Sequence, residues 1–277
     1  MSASTATALV LGGHSFISQL GSDPVASGEQ QAAIVQACLD GGIAWFDTTY
    51  QPERVALGKA LERSGRRADA TIIAWNFFTD FGPDEGVGGA AAYQPHHLQL
   101  MLDQLRTDTI DCLVVHGIGD AKEDARQLEL AARWQQDGCV GRLGTWPPPA
   151  NAAEVFGADG PYSFMVRPYN VNTRDAARAF AACKGLGWEN LACSPFVRGW
   201  ELDKLVERVR RREGGNADTI RSRLADHMLR YSVFAQYVDR LIVAMRKVEW
   251  VDANIESMRR GPLAPDEARW LEGATGE

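Results

Sequence analysis

The sequence predicts a (β/α)8 barrel, and two observations lead to this fold class. Short apolar runs alternate with amphipathic segments along the chain, as they do in repeated βα units. Eight such units fit into 277 residues, a length that is typical of this barrel. A doubly wound open sheet is the alternative, and it is weakened because the early pair Gly12-Gly13 lacks the G-x-G-x-x-G spacing.

The predicted elements follow the chain in order. The strands are Ala8–Leu11, Ala44–Asp47, Thr71–Trp75, Asp111–His116, Gly141–Thr145, Phe164–Val166, Leu191–Pro195 and Leu241–Ala244. The helices between and after them are Gly28–Gly41, Glu53–Ser64, His96–Arg106, Asp124–Asp137, Thr173–Leu186, Glu201–Arg211, Ile220–Ser232 and Val248–Met258. Gly138 and Gly187 lie where a glycine favours the end of a helix. No segment divides the chain, so we expect one barrel domain over residues 1–277.

Two connecting segments have an unusual composition. The segment Phe81–Ala92 is rich in glycine and alanine, and it is predicted to be a mobile loop between a strand and a helix. Three consecutive prolines follow Trp146, and each pushes the preceding residue out of the helical region. We expect the loop and Trp146 to shape a substrate pocket.

Composition and charge exclude several classes of protein. The chain has 29 Lys and Arg against 36 Asp and Glu, a formal charge of −7, so it is a poor ligand for nucleic acid or an anionic membrane. The basic run Arg208–Arg212 precedes Glu213 and is interpreted as a solvated helix end. We expect a small-molecule substrate as the partner, and a homo-oligomer stays open.

The five cysteines are widely spaced and form no C-x-x-C pair. This pattern argues against a disulfide framework or a zinc ribbon and indicates a reducing compartment. The amino-terminal residues lack the basic and apolar regions of a secretory signal, and no apolar stretch reaches the ~20 residues that span a bilayer. The pair His96-His97 has no further ligands at metal-binding spacing, so no metal is expected. A cytoplasmic location is the resulting expectation.

The barrel prediction also indicates where chemistry takes place, because active sites of such barrels lie at the carboxyl ends of the strands. The side chains predicted there are Asp47, Tyr50, Asn76, His116, Trp146, Arg167, Tyr169, Asn170, Ser194, Arg198 and Arg246. His14, next to Gly13, can reach the same end from the first strand. Trp75 and Trp146 are interpreted as pocket walls. Arg167 and Arg198 suit either a substrate carboxylate or phosphate, or a salt bridge at the barrel rim.

Five segments in order resemble those of the aldo-keto reductase family. They are GGIAWFDTTYQPERVALGKAL, LRTDTIDCLVVHG, PYNVNTRD, CSPFVRG and LIVAMRKVEWVDANI. Their order and spacing agree with the family from about residue 9 to residue 270. The resemblance implies a (β/α)8 barrel, and it implies activity less strongly than fold.

The resemblance also implies a set of catalytic residues. Such enzymes use a tyrosine as general acid, a lysine paired with an aspartate to lower the tyrosine pKa, and a histidine to orient the carbonyl. Here Asp47 matches the aspartate, His116 matches the histidine, and Tyr50 is the candidate acid, although it follows Asp47 by three positions where the family has five. Asn76 is found where the lysine is expected. We expect Asn76 to hydrogen-bond Asp47 without supplying a charge.

The nicotinamide side of the implied NADP site is altered. The family holds the carboxamide with a serine and an asparagine, where this chain has Trp146 and Pro147. A glutamine that shares this task is replaced by Val166, and a tyrosine that stacks on the ring is replaced by Cys193. These losses together would leave a hydride poorly aimed.

The adenosine side of the implied site is better kept. Arg246 and Lys247 match residues that meet a 2′-phosphate, and Asn254 matches one that meets adenine. Ser194 lies in the Ser-Pro segment and is assigned to cofactor binding with them. The resemblance therefore leaves two possibilities, no cofactor or NADP.

Three functions remain open on this basis. The favoured one is a reworked enzyme that acts on a small carbonyl-type molecule by acid/base chemistry without net redox, as a lyase, dehydratase or isomerase. The alternative is an NADP-dependent carbonyl oxidoreductase. The second alternative is a non-catalytic binding protein on the same barrel.

Overall fold

The computed structural model describes residues 8–18, 25–80, 88–146, 160–197 and 199–276. The strands are β1 (Leu9–Leu11), β2 (Trp45–Thr48), β3 (Thr71–Trp75), β4 (Phe77–Asp80), β5 (Gly88–Ala90), β6 (Ile110–His116), β7 (Val140–Trp146), β8 (Tyr162–Pro168), β9 (Glu189–Cys193) and β10 (Arg240–Val243). The helices are α1 (Gly28–Asp40), α2 (Gln51–Ser64), α3 (Pro95–Leu105), α4 (Ala121–Gln136), α5 (Ala176–Gly185), α6 (Gly199–Glu213), α7 (Ala217–Val233), α8 (Val248–Arg260) and α9 (Pro265–Thr275).

Eight parallel strands close into a barrel with the order β1-β10-β9-β8-β7-β6-β3-β2. The closure joins β1 to β10, with Leu9 opposite Leu241, and joins β1 to β2, with Val10 opposite Trp45. Helices surround the strands, so the predicted (β/α)8 barrel is confirmed.

Local sequence signals explain where several helices begin. The Ser27 side chain accepts a hydrogen bond from Gln30 N, and the Gln30 side chain accepts one from Ser27 N, which forms a capping box. The side chains of Asp120 and Asn216 cap α4 and α7. Each accepts hydrogen bonds from two backbone N–H groups of the first turn.

Alternate residues of the strands face the barrel axis, as the two-residue period of a strand requires. The interior cluster comprises Val10, Ile73, Trp75, Cys112, Val114, Phe164, Val166, Leu191 and Ile242. Gly144 on β7 makes room for the Phe164 ring, because a Cβ at Gly144 would lie 2.1 Å from a ring carbon. Filling this interior leaves open space only above it, at the carboxyl ends of the strands, where the cavity described below lies.

The elements differ from the predictions in two places. β4 and β5 form an antiparallel hairpin, and β5 falls inside the segment Phe81–Ala92 that was expected to be loop throughout. Residues 81–87 of that segment, and Pro147 to Pro149, lie outside the described residues. The helix α9 was not predicted, and it packs against α6 and α7 in a second apolar cluster that includes Leu271.

Two further features concern the length of the helices and the state of the cysteines. Across the described ranges, none of the helices combines the length and the apolar character that a membrane crossing needs. The five cysteines are free thiols, and three of them are buried.

Candidate active site

A cavity of about 370 Å³ opens at the carboxyl ends of the barrel strands. Its wall is largely aromatic, with Trp75, Phe77, Trp146 and Phe196 among the lining side chains. The Trp75 ring lies edge-on to Phe77 and Trp146, with centroids 6.1 Å and 5.5 Å away. The polar groups that face the cavity include His14, Asp47, Tyr50, His116, Ser194 and Arg246. Eight of the side chains predicted from sequence are thus brought together here, namely His14, Asp47, Tyr50, Trp75, His116, Trp146, Ser194 and Arg246.

Asp47 lies near the carboxyl end of β2 and points into the barrel. Only 5 % of its surface is exposed. Its Oδ1 accepts a hydrogen bond of 2.6 Å from the indole Nε1 of Trp75. Burial raises the pKa of the Asp47 carboxyl to about 7, and the bond from Trp75 opposes that rise. The nearby Glu53 carboxylate raises this pKa further, while His14 lowers it. Asp47 can therefore exchange a proton near neutral pH, which an ordinary exposed aspartate cannot do.

The expected hydrogen bond between Asn76 and Asp47 is wrong. Asn76 lies one residue beyond the inward-facing Trp75, so it points to the outside of the barrel, where it is fully buried. Its Oδ1 accepts from His116 N at 2.8 Å, and its Nδ2 lies 2.8 Å from His116 O and 3.0 Å from Gln127 Oε1. Asn76 therefore fastens β3 to β6 and α4, and Trp75 is the β3 residue that contacts Asp47.

His116 faces Asp47 across the cavity from the end of β6. Its Nδ1 lies 2.7 Å from the Gly117 carbonyl oxygen, which only accepts, so Nδ1 carries the proton and the neutral ring offers Nε2 as an acceptor. Burial lowers the His116 pKa, although the Gly117 carbonyl opposes this effect. The ring stacks on Trp146, with centroids 6.0 Å apart and a 21° angle. His116 is thus held neutral, with its acceptor nitrogen available to a substrate hydroxyl.

His14 and Glu53 form a second polar pair at the opposite side of the cavity. Glu53, in the first turn of α2, is fully buried, and its Oε2 accepts from Thr49 N at 2.6 Å and from Tyr50 N at 3.2 Å. Its Oε1 lies 3.0 Å from His14 Nδ1. Burial alone lowers the pKa of His14, but the bond to Glu53 and the charges of Glu53 and Asp47 outweigh it, so the pKa of His14 is raised.

Tyr50 is the residue that precedes α2, and its ring lines the cavity. The ring centroid lies 5.7 Å from that of His14 and 5.7 Å from that of Phe77. The short connection between β2 and α2 thus places the phenol among the other polar groups of the cavity, close to His14.

Sequence comparisons and structural comparisons give different outcomes. No protein-family model matches the chain, and neither does the sequence of any curated protein. Solved structures match over nearly the whole chain. An aldo-keto reductase from Bacillus halodurans in its holo form is 18 % identical with a TM-score of 0.68, and the match covers 96 % of this chain and 91 % of that one.

Two further solved structures agree. The glycerol dehydrogenase of Gluconobacter oxydans is 18 % identical with a TM-score of 0.70, over 96 % of this chain and 90 % of that one. An aldo-keto reductase from Klebsiella pneumoniae in complex with NADPH is 15 % identical with a TM-score of 0.68, over 96 % and 90 %. The chain has the aldo-keto reductase fold.

Two other residues predicted for the substrate pocket, Arg167 and Tyr169, lie outside the cavity lining. The Arg167 guanidinium sits 5.3 Å from the Trp146 ring centroid, behind the cavity wall. Tyr169 stacks on Tyr231, with centroids 6.2 Å apart and a 9° angle. Arg198 lies outside the described residues.

The residues assigned to the cofactor in an aldo-keto reductase barrel separate into two groups. Arg246 is buried against the cavity, whereas Lys247 is exposed at the start of α8 with its Nζ 5.0 Å from the Trp250 ring centroid. Asn254 is buried about two turns further along α8. On the opposite side, Val166 and Cys193 line the cavity, and burial raises the pKa of the Cys193 thiol to about 12. Cys193 is therefore a neutral wall residue and not a nucleophile.

Two residues of the site were missed by sequence reasoning. Phe77 belongs to the unpredicted hairpin and closes the cavity between Tyr50 and His116. Glu53 follows Tyr50 by three positions, which is the spacing of a capping box and the available sequence signal. The glycine at Gly13 is a second signal, because a Cβ there would lie 2.2 Å from Glu53 Oε2.

Proposed function

We propose that the protein is a dinucleotide-dependent oxidoreductase that interconverts a small alcohol and the corresponding carbonyl compound at the barrel mouth. One observation carries this proposal: the Asp47 carboxyl, with a pKa of about 7, shares a small aromatic-walled cavity with the neutral His116 and the buried Arg246. The fold supports it, since similar solved structures include a reductase with NADPH and a glycerol dehydrogenase.

The residues present fit the phosphate portion of NADP. Arg246 and Lys247 immediately precede α8, and no side chain caps the N-terminus of that helix. Two cationic side chains next to free helix N–H groups suit a phosphate. The carboxamide portion has fewer partners, because Val166 and Cys193 offer no strong donor. When bound, the dinucleotide supplies or accepts the hydride.

The described residues bind and orient the substrate. The neutral His116 can accept a hydrogen bond at Nε2 from a substrate hydroxyl other than the reacting one, which fixes the substrate in the cavity. Trp75, Phe77 and Trp146 exclude water from the same space. A volume of about 370 Å³ limits the substrate to a small molecule.

Nucleotide titration of matched arginine variants tests the proposal. We expect NADPH to quench the fluorescence of the wild-type tryptophans with saturation, and R246M to weaken binding by at least ~10-fold because a charge-assisted phosphate contact is lost. R259M is the control, since Arg259 is exposed at the far end of the same helix, where its guanidinium pairs with Glu256 at 3.3 Å. Absence of saturable binding at millimolar NADPH in the wild type contradicts the proposal.

Acid/base chemistry without redox is the second candidate, and the environment of Asp47 favours it. The partner of Asp47 is the uncharged Trp75 indole, so this site lacks the lysine that tunes the acid in the resembling family. A proton-transfer enzyme needs a group poised near neutral pH, which Asp47 provides, beside a neutral acceptor such as His116. Product formation from a hydroxy-carbonyl compound with all nucleotide removed by charcoal treatment supports this candidate and excludes the first.

A further inference from the structure

The pair His14–Glu53 has the construction of an acid/base dyad, although neither residue belongs to the set that the family resemblance implies. Glu53 Oε1 lies 3.0 Å from His14 Nδ1, and Glu53 itself is immobilised by Thr49 N and Tyr50 N. The carboxylate is fully buried, while the His14 side chain is 27 % exposed and lines the cavity. The buried Glu53 carboxylate therefore contacts the imidazole on the side away from the cavity, and the other side of the ring faces the cavity. A carboxylate orients a catalytic histidine in this way.

The chain around this pair is adapted to it. Gly13 is required next to His14, because any Cβ there would lie 2.2 Å from Glu53 Oε2 and 2.8 Å from the Asp47 carbonyl oxygen. Glu53 also lies in the first turn of α2, where the helix N-terminus and two N–H donors stabilise negative charge. A carboxylate fixed in this way favours the protonated form of the imidazole that it contacts.

Charged groups face His14 from three neighbouring segments. Glu53 from α2 and Asp47 from β2 favour the imidazolium, whereas Arg246 after β10 disfavours it. The Tyr50 ring lies beside it at 5.7 Å, and His116 lies across the cavity on β6. The two carboxyl groups outweigh burial and Arg246, which both lower the pKa of His14, so this pKa stays above its usual value.

We infer that His14 is a catalytic residue of this site, an imidazolium oriented by Glu53 whose Nε2–H donates to the substrate oxygen. It provides the positive charge that the β3 position lacks, from the short helical turn that follows β1. In this arrangement Nδ1 is held by Glu53, so Nε2 is the nitrogen available to a ligand. The inference rests on the proposed function for its reaction step.

The proton and electron balance of that step is complete. In the reducing direction the carbonyl carbon of the substrate receives a hydride from the reduced dinucleotide, and a new C–H bond forms. The π pair of the C=O bond moves to oxygen, and the oxygen takes the proton from His14 Nε2. The products are an alcohol, the oxidised dinucleotide and a neutral imidazole, which regains its proton from water. In the oxidising direction the same groups act in reverse, with neutral His14 as the base.

Proton NMR titration of the histidine ring resonances tests the pairing without any substrate. The chain has five histidines, and the resonance that disappears in H14Q assigns His14. We expect His14 to titrate above the usual value of about 6.5 in the wild type and at least one pH unit lower in E53Q. H96Q is the matched control, because His96 is exposed on α3. A His14 that titrates at or below 6.5, or a titration that E53Q leaves unchanged, overturns the inference.

Steady-state kinetics test the catalytic role. We expect H14Q to lower kcat/KM for carbonyl reduction by ~10²–10⁴-fold, the range typical of a lost general acid, and H96Q to leave it unchanged. In the wild type kcat/KM should fall as pH rises through the raised pKa of His14, and in E53Q this fall should begin at lower pH. Asp47 titrates in the same region, so the kinetic midpoint is compared with the NMR midpoint of His14.

The outcomes separate the inference from the proposed function. Wild-type kcat/KM in H14Q overturns the catalytic role of His14 even if the protein is a dinucleotide-dependent enzyme. Absence of any dinucleotide-dependent turnover in the wild type overturns the proposed function and the reaction step, and the imidazolium is then judged by its titration alone. Circular dichroism spectra and unfolding midpoints of H14Q and E53Q that match the wild type show that these variants are folded.

Discussion

Asp47 and His14 are two ionisable side chains whose charges depend on each other at the barrel mouth. Burial favours the neutral form of Asp47, whereas the Glu53 carboxylate favours the charged form of His14. A proton can thus reside on either group near neutral pH at little cost. Trp75 limits this effect, because its indole N–H stabilises the ionised Asp47.

The raised pKa of Asp47 makes stability depend on pH. An unfolded aspartate has a pKa of about 3.9, while folded Asp47 has a pKa of about 7, so between these values the folded protein retains a proton that the unfolded chain has lost. The stabilising contribution is complete below pH 4 and is lost as pH rises to 7, a change on the order of 4 kcal/mol.

Urea denaturation of D47N between pH 4.5 and 8.5 measures this contribution. The asparagine cannot ionise, so we expect the free energy of unfolding of D47N to lack the decline that the wild type shows up to pH 7. The exposed Asp108 provides the control D108N, which should follow the wild type. Parallel wild-type and D47N profiles across this range contradict the raised pKa.

The amide of Asn76 could take part in catalysis, but its buried position outside the barrel gives it a structural role. Its amide bonds both the N–H and the carbonyl of His116, so it fixes the strand that carries His116. We expect N76K to lower the free energy of unfolding by more than ~3 kcal/mol, because it places an unpaired cation in a fully buried site.

The control for N76K is N172K, since Asn172 is exposed in the loop after β8. Chemical denaturation of the two variants should separate them clearly. A stable N76K that gains reductase activity would contradict the outward placement of Asn76, and would mean that position 76 faces the site.

At the scale of elements, the contact between β7 and β8 determines how the barrel interior is filled. Gly144 and Phe164 are paired in register, and the aromatic ring occupies the space above the glycine. The ring and its neighbours form the floor beneath the cavity, because Val166 follows Phe164 along β8 and lines it. The depth of the cavity therefore depends on this one small residue.

We expect G144A to destabilise the protein by about 1–3 kcal/mol, since the new methyl group would lie 2.1 Å from the Phe164 ring. Thermal or urea unfolding measures the loss, and the double variant G144A/F164L should recover part of it. G185A is the control, because Gly185 lies at the end of α5 with open space around its Cβ position. An unchanged G144A would contradict the interior packing described here.

At the scale of the whole molecule, the alternation of apolar runs and amphipathic segments is sufficient to predict the barrel and most of its strands. The strand periodicity did not reveal which face of β3 points inward, because Thr71–Trp75 is apolar on both faces, as buried parallel strands usually are. If the inward face of β3 is assigned one residue too far along the chain, Asn76 points into the site in place of Trp75. The predicted contacts of Asp47 then change as well.

The rest of the site depends on contacts between distant segments. His14 and Glu53 are 39 positions apart, and only the closure of β1 against β2 brings the strand ends that carry them together. The hairpin β4–β5 was hidden by its glycine-rich composition, which is typical of a loop. Side chains of Asp47, Tyr50 and His116 could be predicted, because each directly follows or ends an unambiguous strand.

The central claim is that redox chemistry with a dinucleotide takes place in the cavity at the barrel mouth. The most direct measurement is the change in absorbance at 340 nm when purified protein, NADPH and a panel of small aldehydes and ketones are combined, with H14Q beside the wild type. The account predicts NADPH oxidation that depends on the carbonyl compound and falls at least ~100-fold in H14Q. Conversion of these compounds without any consumption of nucleotide, or a complete lack of NADPH oxidation across the panel, would contradict it.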